Sequence, residues 1–170
     1  MPVQVGSPAP DFKAKAYLRD SDEFKEIALA DYKGKWVCLY FYTLDFSGVC
    51  PTEVAAFDGA LDEFQKRGCN LVACSCDSHY AHKGWCESNE SLNALKHPLL
   101  SDMTKRMAMD YGVLLPDQGV PLRGTYLIDP EGTIRWAAVY DKPIGRNIAE
   151  ILRVLDALQT GEPCACNWTP

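Results

Sequence analysis

The sequence predicts an α/β fold in which a mixed central sheet is flanked by helices. An unbroken apolar run at residues 36–42 (WVCLYFY) indicates a buried strand, and an amphipathic helix follows it at 51–67. Strands and helices continue to alternate until two adjacent strands close the pattern, at 123–129 and 133–140. Alternation requires crossovers and parallel pairs, whereas adjacent strands form an antiparallel hairpin, so the sheet should be mixed.

The N-terminal part predicts a β-hairpin that extends this sheet. Two short alternating runs, at 12–18 and 24–29, are separated by turn residues at 20–22. A second turn at 32–35 (YKGK) leads into the strand at 36–42. The helix at 51–67 ends near Gly68, since glycine is common just beyond a helix C-terminus.

The rest of the chain repeats the alternation of strands and helices. The predicted elements are a strand at 69–76, a helix at 79–88, an apolar stretch at 98–100, a short helix at 102–111, the hairpin strands with a turn at 129–132, and a helix at 146–158. In the last helix Ile148, Ile151, Leu152 and Leu155 recur at helical spacing and should face the core. This order of elements is the thioredoxin-like arrangement with extra N-terminal strands.

Length, composition and charge predict one globular domain. The 170 residues are 47% hydrophobic and 24% charged, enough for a core without disulfides. We expect a single domain over 1–170, with a core at 1–160 and a tail at 161–170. The net charge of −6 argues against nucleic acid or an anionic membrane as partner. No apolar stretch could span a membrane and the N-terminus lacks signal-peptide features, so a cytoplasmic location is predicted.

Eight cysteines are many for a reducing compartment, and most should be free thiols. Four lie in or beside apolar strand-like runs, where a cysteine behaves as a small hydrophobic residue: Cys38, Cys69, Cys74 and Cys76. The other four fall outside such runs: Cys50, Cys86, Cys164 and Cys166.

Cys50 stands where a strand gives way to a helix. Pro51 suits the first turn of that helix, because its missing N–H costs nothing there. Unpaired N–H groups and the helix dipole favour an anion at this end, so the pKa of the Cys50 thiol should fall. A buried structural cysteine is the alternative.

The chain resembles a typical two-cysteine peroxiredoxin of the alkyl hydroperoxide reductase C group. The resemblance runs over essentially the whole length of the chain and is centred on Cys50. The central motif is YTLDFSGVCPTE at 42–53. The supporting stretches follow in the family's order: VACSCDSH at 72–79, PLLSDMTK at 98–105, DYGV at 110–113, LRGTYLID at 122–129, PIGR at 143–146 and GEPCACNW at 161–168. The resemblance implies a thioredoxin-like peroxiredoxin fold and reduction of hydrogen peroxide and organic hydroperoxides to water and alcohols.

The resemblance also implies roles for individual residues. Cys50 becomes the peroxidatic cysteine, whose thiolate attacks the O–O bond and leaves a sulfenic acid. Ser47 becomes the hydroxyl that orients the peroxide and touches the sulfur, and Arg123 the cation that lowers the thiol pKa and holds the peroxide oxygens. Glu53 and Arg146 become a pair that orients Arg123; plain surface residues are the alternative for both.

Resolution and assembly are implied in the same way. Cys164 becomes the resolving cysteine of the partner subunit, and it forms an intersubunit disulfide with Cys50 after local unfolding. Cys166, two residues away, could compete or exchange. A thioredoxin-like dithiol or a dedicated flavoprotein reductase would supply electrons, and no metal, haem or flavin is needed. We expect a homodimer paired at the edge strand 133–140, and five dimers in a decameric ring.

Three departures from the family pattern bear on these expectations. Thr43 stands where the family has a proline over the active-site thiolate, which puts the shielding of the pocket in doubt. A Gly-Gly-Leu-Gly insertion is absent between 88 and 95, and the helix that follows the resolving segment in relatives is missing because the sequence ends at Pro170. We therefore expect fast resolution and resistance of Cys50 to overoxidation.

Three other functions compete with this interpretation. A thiol–disulfide oxidoreductase would carry C-x-x-C at this junction, but Ser47 replaces the first cysteine. A metal site would use residues that cluster in sequence but lack a zinc-finger spacing: Cys74, Cys76, His79, His82 and Cys86. A holdase chaperone activity would be secondary, since the features linked to easy overoxidation are lacking.

Overall fold

The computed structural model describes residues 3–170, so Met1 and Pro2 of the predicted 1–170 domain lie outside the described residues. The strands are β1 (Lys13–Leu18), β2 (Glu23–Ala28), β3 (Trp36–Phe41), β4 (Cys69–Ser75), β5 (Leu99–Ser101), β6 (Leu114–Leu115), β7 (Val120–Pro121), β8 (Arg123–Ile128) and β9 (Ile134–Tyr140). The α-helices are α1 (Cys50–Gly59), α2 (Leu61–Lys66), α3 (His79–Ser88), α4 (Arg106–Asp110) and α5 (Ile148–Thr160). Short 3-10 helices occupy Leu29–Tyr32 and Glu90–Leu92.

Seven strands form one mixed sheet in the order β2-β1-β5-β4-β3-β8-β9. The central strands β3, β4 and β5 are parallel, while β8 pairs antiparallel with both β3 and β9. β1 and β2 form the predicted N-terminal hairpin, in which Leu18 pairs with Glu23 around the turn. The predicted mixed sheet with a hairpin extension is confirmed, and β6 and β7 form a separate small ribbon.

Strand β3 is buried on both faces, which explains its unbroken apolar sequence. Cys38 and Tyr40 pack in one hydrophobic cluster with residues of α1, α2 and α5. Val37, Leu39 and Phe41 pack in a second cluster on the opposite face, with residues of α4 and β8. Because successive side chains of a strand point to opposite faces, both faces of β3 require apolar residues. The end of β3 is thereby fixed in the core, and the site begins just beyond it.

Two predicted helices differ from the structure. The helix expected at 51–67 is two helices, because the chain leaves helical geometry at Ala60 (φ −97°, ψ 5°) after Gly59. The helix expected at 102–111 begins only at Arg106. Asp102 accepts hydrogen bonds from the N–H groups of Met107 and Ala108, so it caps this helix instead of belonging to it.

The last helix begins two residues later than expected, at Ile148. Asn147 precedes it and accepts a hydrogen bond from the N–H of Glu150, which is the usual action of an N-cap. Ile151 and Leu155 are buried, and Ile148 and Leu152 pack against the same cluster, as predicted. Within residues 3–170, none of the helices has the length and apolar character needed to cross a membrane.

Candidate active site

Cys50 is the first residue of α1 and is fully buried as a free thiol. Its sulfur has two hydrogen-bond partners among the described residues. Thr43 Oγ1 lies 3.1 Å from Sγ, and Arg123 Nη1 donates to Sγ over 3.3 Å. Thr43, just beyond the end of β3, therefore makes one contact with the sulfur. Arg123, the first residue of β8, makes the other.

The surroundings lower the pKa of the Cys50 thiol from 9.0. Burial by itself would raise this pKa, because it penalises the charged form. The hydrogen bonds from Thr43 and Arg123, together with the nearby polar groups of the Leu44 backbone and the Ser47 side chain, favour the charged form and outweigh burial. The thiolate is consequently the favoured form at a lower pH than for an ordinary cysteine, and the thiolate is the nucleophile.

Five other cysteines behave in the opposite way. Burial raises the pKa of Cys69 and of Cys86 to about 12, and that of Cys76 to about 11. Cys38 and Cys74 are fully buried in strands, and burial raises the pKa of both thiols well above 9.0. A neutral thiol is a poor nucleophile and a poor metal ligand, so these side chains serve as packing groups.

Arg123 is held on three sides. Its Nη1 donates to Glu53 Oε2 over 2.6 Å as well as to the Cys50 sulfur, and its Nε donates to the carbonyl of Lys142 over 2.7 Å. Only 3% of its side chain is exposed. The charge of this guanidinium is therefore directed at the sulfur and is little screened by water.

Glu53 and Arg146 form the second layer of the site. Glu53 Oε1 accepts from the backbone N–H and the Nε of Arg146, each at 2.9 Å, and Oε2 accepts from Arg146 Nη2 at 2.9 Å. The Arg146 guanidinium lies 5.0 Å from the Tyr40 ring centroid and 5.5 Å from that of Phe57. Both side chains are buried rather than placed on a helix surface, and Arg146 holds Glu53 in position against Arg123.

Ser47 and Thr43 are placed differently from the expectation. Ser47 is half-buried, and its hydroxyl donates to the carbonyl of Leu44 over 2.8 Å; no hydrogen bond joins it to the sulfur. Thr43, which was expected only to affect the shielding of the pocket, is 6% exposed and contacts the sulfur directly. The sequence does show a hydroxyl residue seven positions before Cys50, but it does not show that the Thr43 side chain points at the sulfur.

Cys164 and Cys166 lie in the tail after α5. Cys164 is half-buried and its sulfur contacts the carbonyl of Ala157 at 3.7 Å and the Thr160 hydroxyl at 3.6 Å. Cys166 is exposed. The contacts of Cys164 are with α5 and the tail, so one chain does not bring it to the Cys50 pocket.

The alternative metal site finds no support within residues 3–170, where no group of three or more His, Cys, Asp or Glu side chains is placed to hold a metal ion. His82 shows why. Its Nδ1 is 2.7 Å from Asp45 Oδ2 and its Nε2 is 2.9 Å from the carbonyl of Leu100. Both ring nitrogens thus have protein partners, and the ring is fully buried.

Comparison with known proteins decides the family. The model of the AhpC/TSA family matches residues 5–137. The chain belongs to this family. This peroxiredoxin is 44% identical to a thioredoxin peroxidase of Echinococcus granulosus, over 100% of this chain and 91% of the relative. It is also 44% identical to peroxiredoxin-2 of Macaca fascicularis, over 99% of this chain and 87% of the relative.

Solved structures agree with the sequence relatives. The reduced 2-Cys peroxiredoxin of Plasmodium vivax matches this peroxiredoxin with a TM-score of 0.94 and 43% identity, over 99% of this chain and 90% of that one. AhpC of Mycobacterium tuberculosis matches with a TM-score of 0.89 and 36% identity, over 99% of both chains. The predicted peroxiredoxin family and thioredoxin-like fold are confirmed.

Proposed function

We propose that Cys50 carries the thiol peroxidase activity of this peroxiredoxin and reduces hydrogen peroxide and organic hydroperoxides. The thiolate attacks one peroxide oxygen, so that an S–O bond forms as the O–O bond breaks. Sulfur is oxidised by two electrons to a sulfenic acid, and the leaving oxygen takes a proton and departs as water or an alcohol. The supporting observation is that Cys50 combines a lowered thiol pKa with two side-chain hydrogen-bond partners on its sulfur.

Other residues of the pocket would assist this step. Arg123 stabilises the thiolate and offers N–H donors to the peroxide oxygens. The Ser47 hydroxyl donates a hydrogen bond to the Leu44 carbonyl, so its oxygen is free to accept a hydrogen bond from the O–H of the peroxide. Glu53 and Arg146 are positioning residues, because they touch Arg123 or each other and not the sulfur.

The sulfenic acid would be resolved by Cys164 of a second subunit. The Cys164 thiolate attacks the sulfenic sulfur, an S–S bond forms, the S–O bond breaks and water leaves. Cys164 suits this role because it is partly accessible while Cys50 is buried, so the first turn of α1 must unwind to meet it. Cys166 is the competing thiol.

The recycling partner would be a protein dithiol, which returns two electrons and two protons to the disulfide. A thioredoxin-like protein is favoured, since similar proteins are named a thioredoxin-dependent peroxide reductase in Drosophila melanogaster and a thioredoxin peroxidase in Echinococcus granulosus. A flavoprotein reductase is the second candidate. We further propose a cytoplasmic homodimer paired through β9, with five dimers assembling as a decamer.

The decisive test is single-turnover peroxide consumption by the reduced protein without any reductant. Wild type should consume about one equivalent of hydrogen peroxide quickly, and Cys50→Ser should consume none above background. Cys76→Ser is the matched control, because Cys76 is half-buried and its thiol pKa is raised to about 11. Undiminished consumption by Cys50→Ser would refute the proposed function.

Mass spectrometry under non-reducing conditions would identify the resolving cysteine. After one equivalent of peroxide, wild type and Cys166→Ser should yield a covalent dimer that links Cys50 to Cys164. Cys164→Ser should retain a sulfenic acid on Cys50 and form no such dimer. A dimer linked through Cys166 in the wild type would overturn the assignment of Cys164.

A further inference from the structure

We propose that Thr43 is a catalytic residue of this peroxiredoxin, whose hydroxyl donates a hydrogen bond to the Cys50 sulfur when the sulfur is a thiolate. The proposal rests on the assignment of Cys50 as the reacting thiol. It concerns a side chain that touches the reacting atom, and it gives the position a chemical role that a proline there could not have, because proline has no side-chain donor.

The geometry of the contact carries the proposal. Thr43 Oγ1 lies 3.1 Å from Cys50 Sγ, and Thr43 is 6% exposed. Within residues 3–170 this hydroxyl has no other hydrogen-bond partner. A thiolate can only accept a hydrogen bond, so a hydroxyl held at this distance must donate to it. Such a bond to a charged acceptor is stronger than a bond between neutral groups.

The backbone around Thr43 is anchored on both sides, which fixes the hydroxyl before any substrate arrives. The N–H of Tyr42 donates to the carbonyl of Cys74 over 3.0 Å, and the Tyr42 hydroxyl donates to Asp45 Oδ1 over 2.7 Å. The N–H of Asp45 in turn donates to Asp77 Oδ2 over 3.0 Å. Donors that are already oriented towards a charge stabilise it without the cost of reorganisation.

The two contacts on the sulfur are chemically different. Arg123 is always charged and also binds Glu53, so part of its charge is neutralised by that carboxylate. Thr43 is neutral, contacts the sulfur alone and can reverse its role, accepting from the S–H when the thiol is protonated. Ser47 cannot substitute for it in this arrangement, because the Ser47 hydroxyl already donates its hydrogen bond to the Leu44 carbonyl.

Two substitutions separate the hydroxyl from the shape of the side chain. Thr43→Val has nearly the same volume but no hydroxyl, whereas Thr43→Ser keeps the hydroxyl and loses a methyl group. The measurement is the rate of alkylation of Cys50 by iodoacetamide across pH, followed on the Cys50 peptide by mass spectrometry. Each profile is divided by its own plateau at high pH, so that it reports the fraction of Cys50 present as thiolate.

At a pH well below the midpoint of the wild-type profile, we expect this fraction to fall roughly tenfold in Thr43→Val and to stay within about twofold of wild type in Thr43→Ser. Thr43→Ala is measured in parallel, and it should follow Thr43→Val, which covers the case that the valine variant does not fold. A wild-type profile in the valine and alanine variants would overturn the proposal, and so would an equal loss in Thr43→Ser.

The alkylation profile is measured without peroxide, so its outcome is independent of the test of the proposed function. Peroxide consumption by Cys50→Ser would refute Cys50 as the reacting thiol even if Thr43→Val altered the alkylation profile. Conversely, an inactive Cys50→Ser combined with an unchanged profile in Thr43→Val would leave the proposed function standing and remove Thr43 from it.

Discussion

Glu53 is the residue on which the two arginines of the site depend. Its carboxylate accepts four hydrogen bonds, one from Arg123 and three from Arg146, at distances between 2.6 and 2.9 Å. All three side chains are at most 4% exposed. One carboxylate therefore compensates two buried guanidinium groups in part, and its removal would leave both without their common anion.

We predict that Glu53→Gln lowers the free energy of unfolding by about 3 kcal/mol, since removing one partner of a buried ion pair is strongly destabilising. Urea unfolding of the reduced protein would measure this. Glu63→Gln is the matched control, because Glu63 pairs with Lys66 and Arg67 on the surface and its side chain is 47% exposed. It should leave the stability nearly unchanged. Equal effects of the two substitutions would contradict the ion-pair argument.

The same carboxylate predicts how stability changes in acid. Burial alone would raise the pKa of Glu53, but the hydrogen bonds and charge of Arg146, together with the charge of Arg123, lower it from 4.5. A lowered pKa means that the ionised form stabilises the fold. This contribution is fully present above about pH 4.5 and is lost as the pH falls through the lowered pKa. Below that pH the stability difference between wild type and Glu53→Gln should shrink; a constant difference would contradict the prediction.

At the scale of elements, the break between α1 and α2 illustrates a limit of sequence patterns. The apolar residues Val54, Phe57, Leu61 and Phe64 keep helical spacing across the break, so periodicity predicts one helix. The N–H of Ala60 is shared between the carbonyls of Ala56, Phe57 and Asp58, which tightens the last turn of α1. Gly59 disfavours continued helix, and the four apolar side chains all remain in one core cluster across the break.

Replacing glycine by alanine should change the free energy of unfolding in opposite directions at two helix ends. Gly59 ends α1 outside the left-handed region, and an added Cβ would meet nothing within 4 Å. Gly59→Ala should therefore raise the free energy of unfolding by about 0.5 kcal/mol. Gly161 caps α5 with φ +70°, so Gly161→Ala should lower it by about 1 kcal/mol. Thermal unfolding of both variants is the check, and shifts of the same sign would refute it.

The segment between α3 and β5 bears on how easily the first turn of α1 opens. It contains the short 3-10 helix Glu90–Leu92 and no Gly-Gly-Leu-Gly insertion, the feature whose presence in relatives is expected to slow this opening. We predict that Cys50 resists overoxidation. During turnover with reductant at low micromolar peroxide, mass spectrometry should find no sulfinic acid on Cys50. Cys164→Ser is the comparison, since without a resolving thiol the sulfenic acid should be oxidised further. Detection of sulfinic acid on Cys50 in the wild type at this peroxide level would contradict the prediction.

At the scale of the whole molecule, most of the sheet follows from sequence patterns. Strand β3 could be placed because both of its faces are apolar, and β8 and β9 because the turn at 129–132 separates two extended runs. The position of Cys50 at the start of α1 followed from the same reasoning together with Pro51. Each of these inferences uses only local periodicity and turn chemistry, which the sequence contains.

The details of the site depend on contacts between distant parts of the chain. Periodicity does not reveal that Arg146 reaches Glu53 across 93 positions, or that Thr43 points at the sulfur while Ser47 points at the Leu44 carbonyl. Side-chain directions in the loop before α1 are set by anchors such as the Asp45–Asp77 hydrogen bond, which joins two loops. Local patterns therefore singled out Cys50, the resemblance to the family indicated the other residues of the site, and only the tertiary structure shows their partners.

The outer edge of the sheet predicts where two subunits meet. β9 lies at one end of the strand order, and within residues 3–170 β8 is its only strand partner. The start of its free edge is covered, because Gly6 donates to the carbonyl of Ile134 and Ile134 donates to the carbonyl of Ser7. The remaining residues of β9 leave an open edge of the kind that pairs with another strand, and Val139 is 49% exposed on this strand.

We predict that Val139→Lys weakens the dimer, because a two-fold interface receives the added charge twice. Sedimentation velocity at several protein concentrations should show dissociation at concentrations where wild type is dimeric. Met109→Lys, which adds the same charge at a 56% exposed position of α4, should not have this effect. On the proposed resolution by Cys164 of the partner subunit, the dissociated Val139→Lys variant should still consume about one equivalent of peroxide but accumulate sulfenic acid on Cys50. Rapid intersubunit disulfide formation by a monomeric variant would contradict both the interface and the direction of resolution.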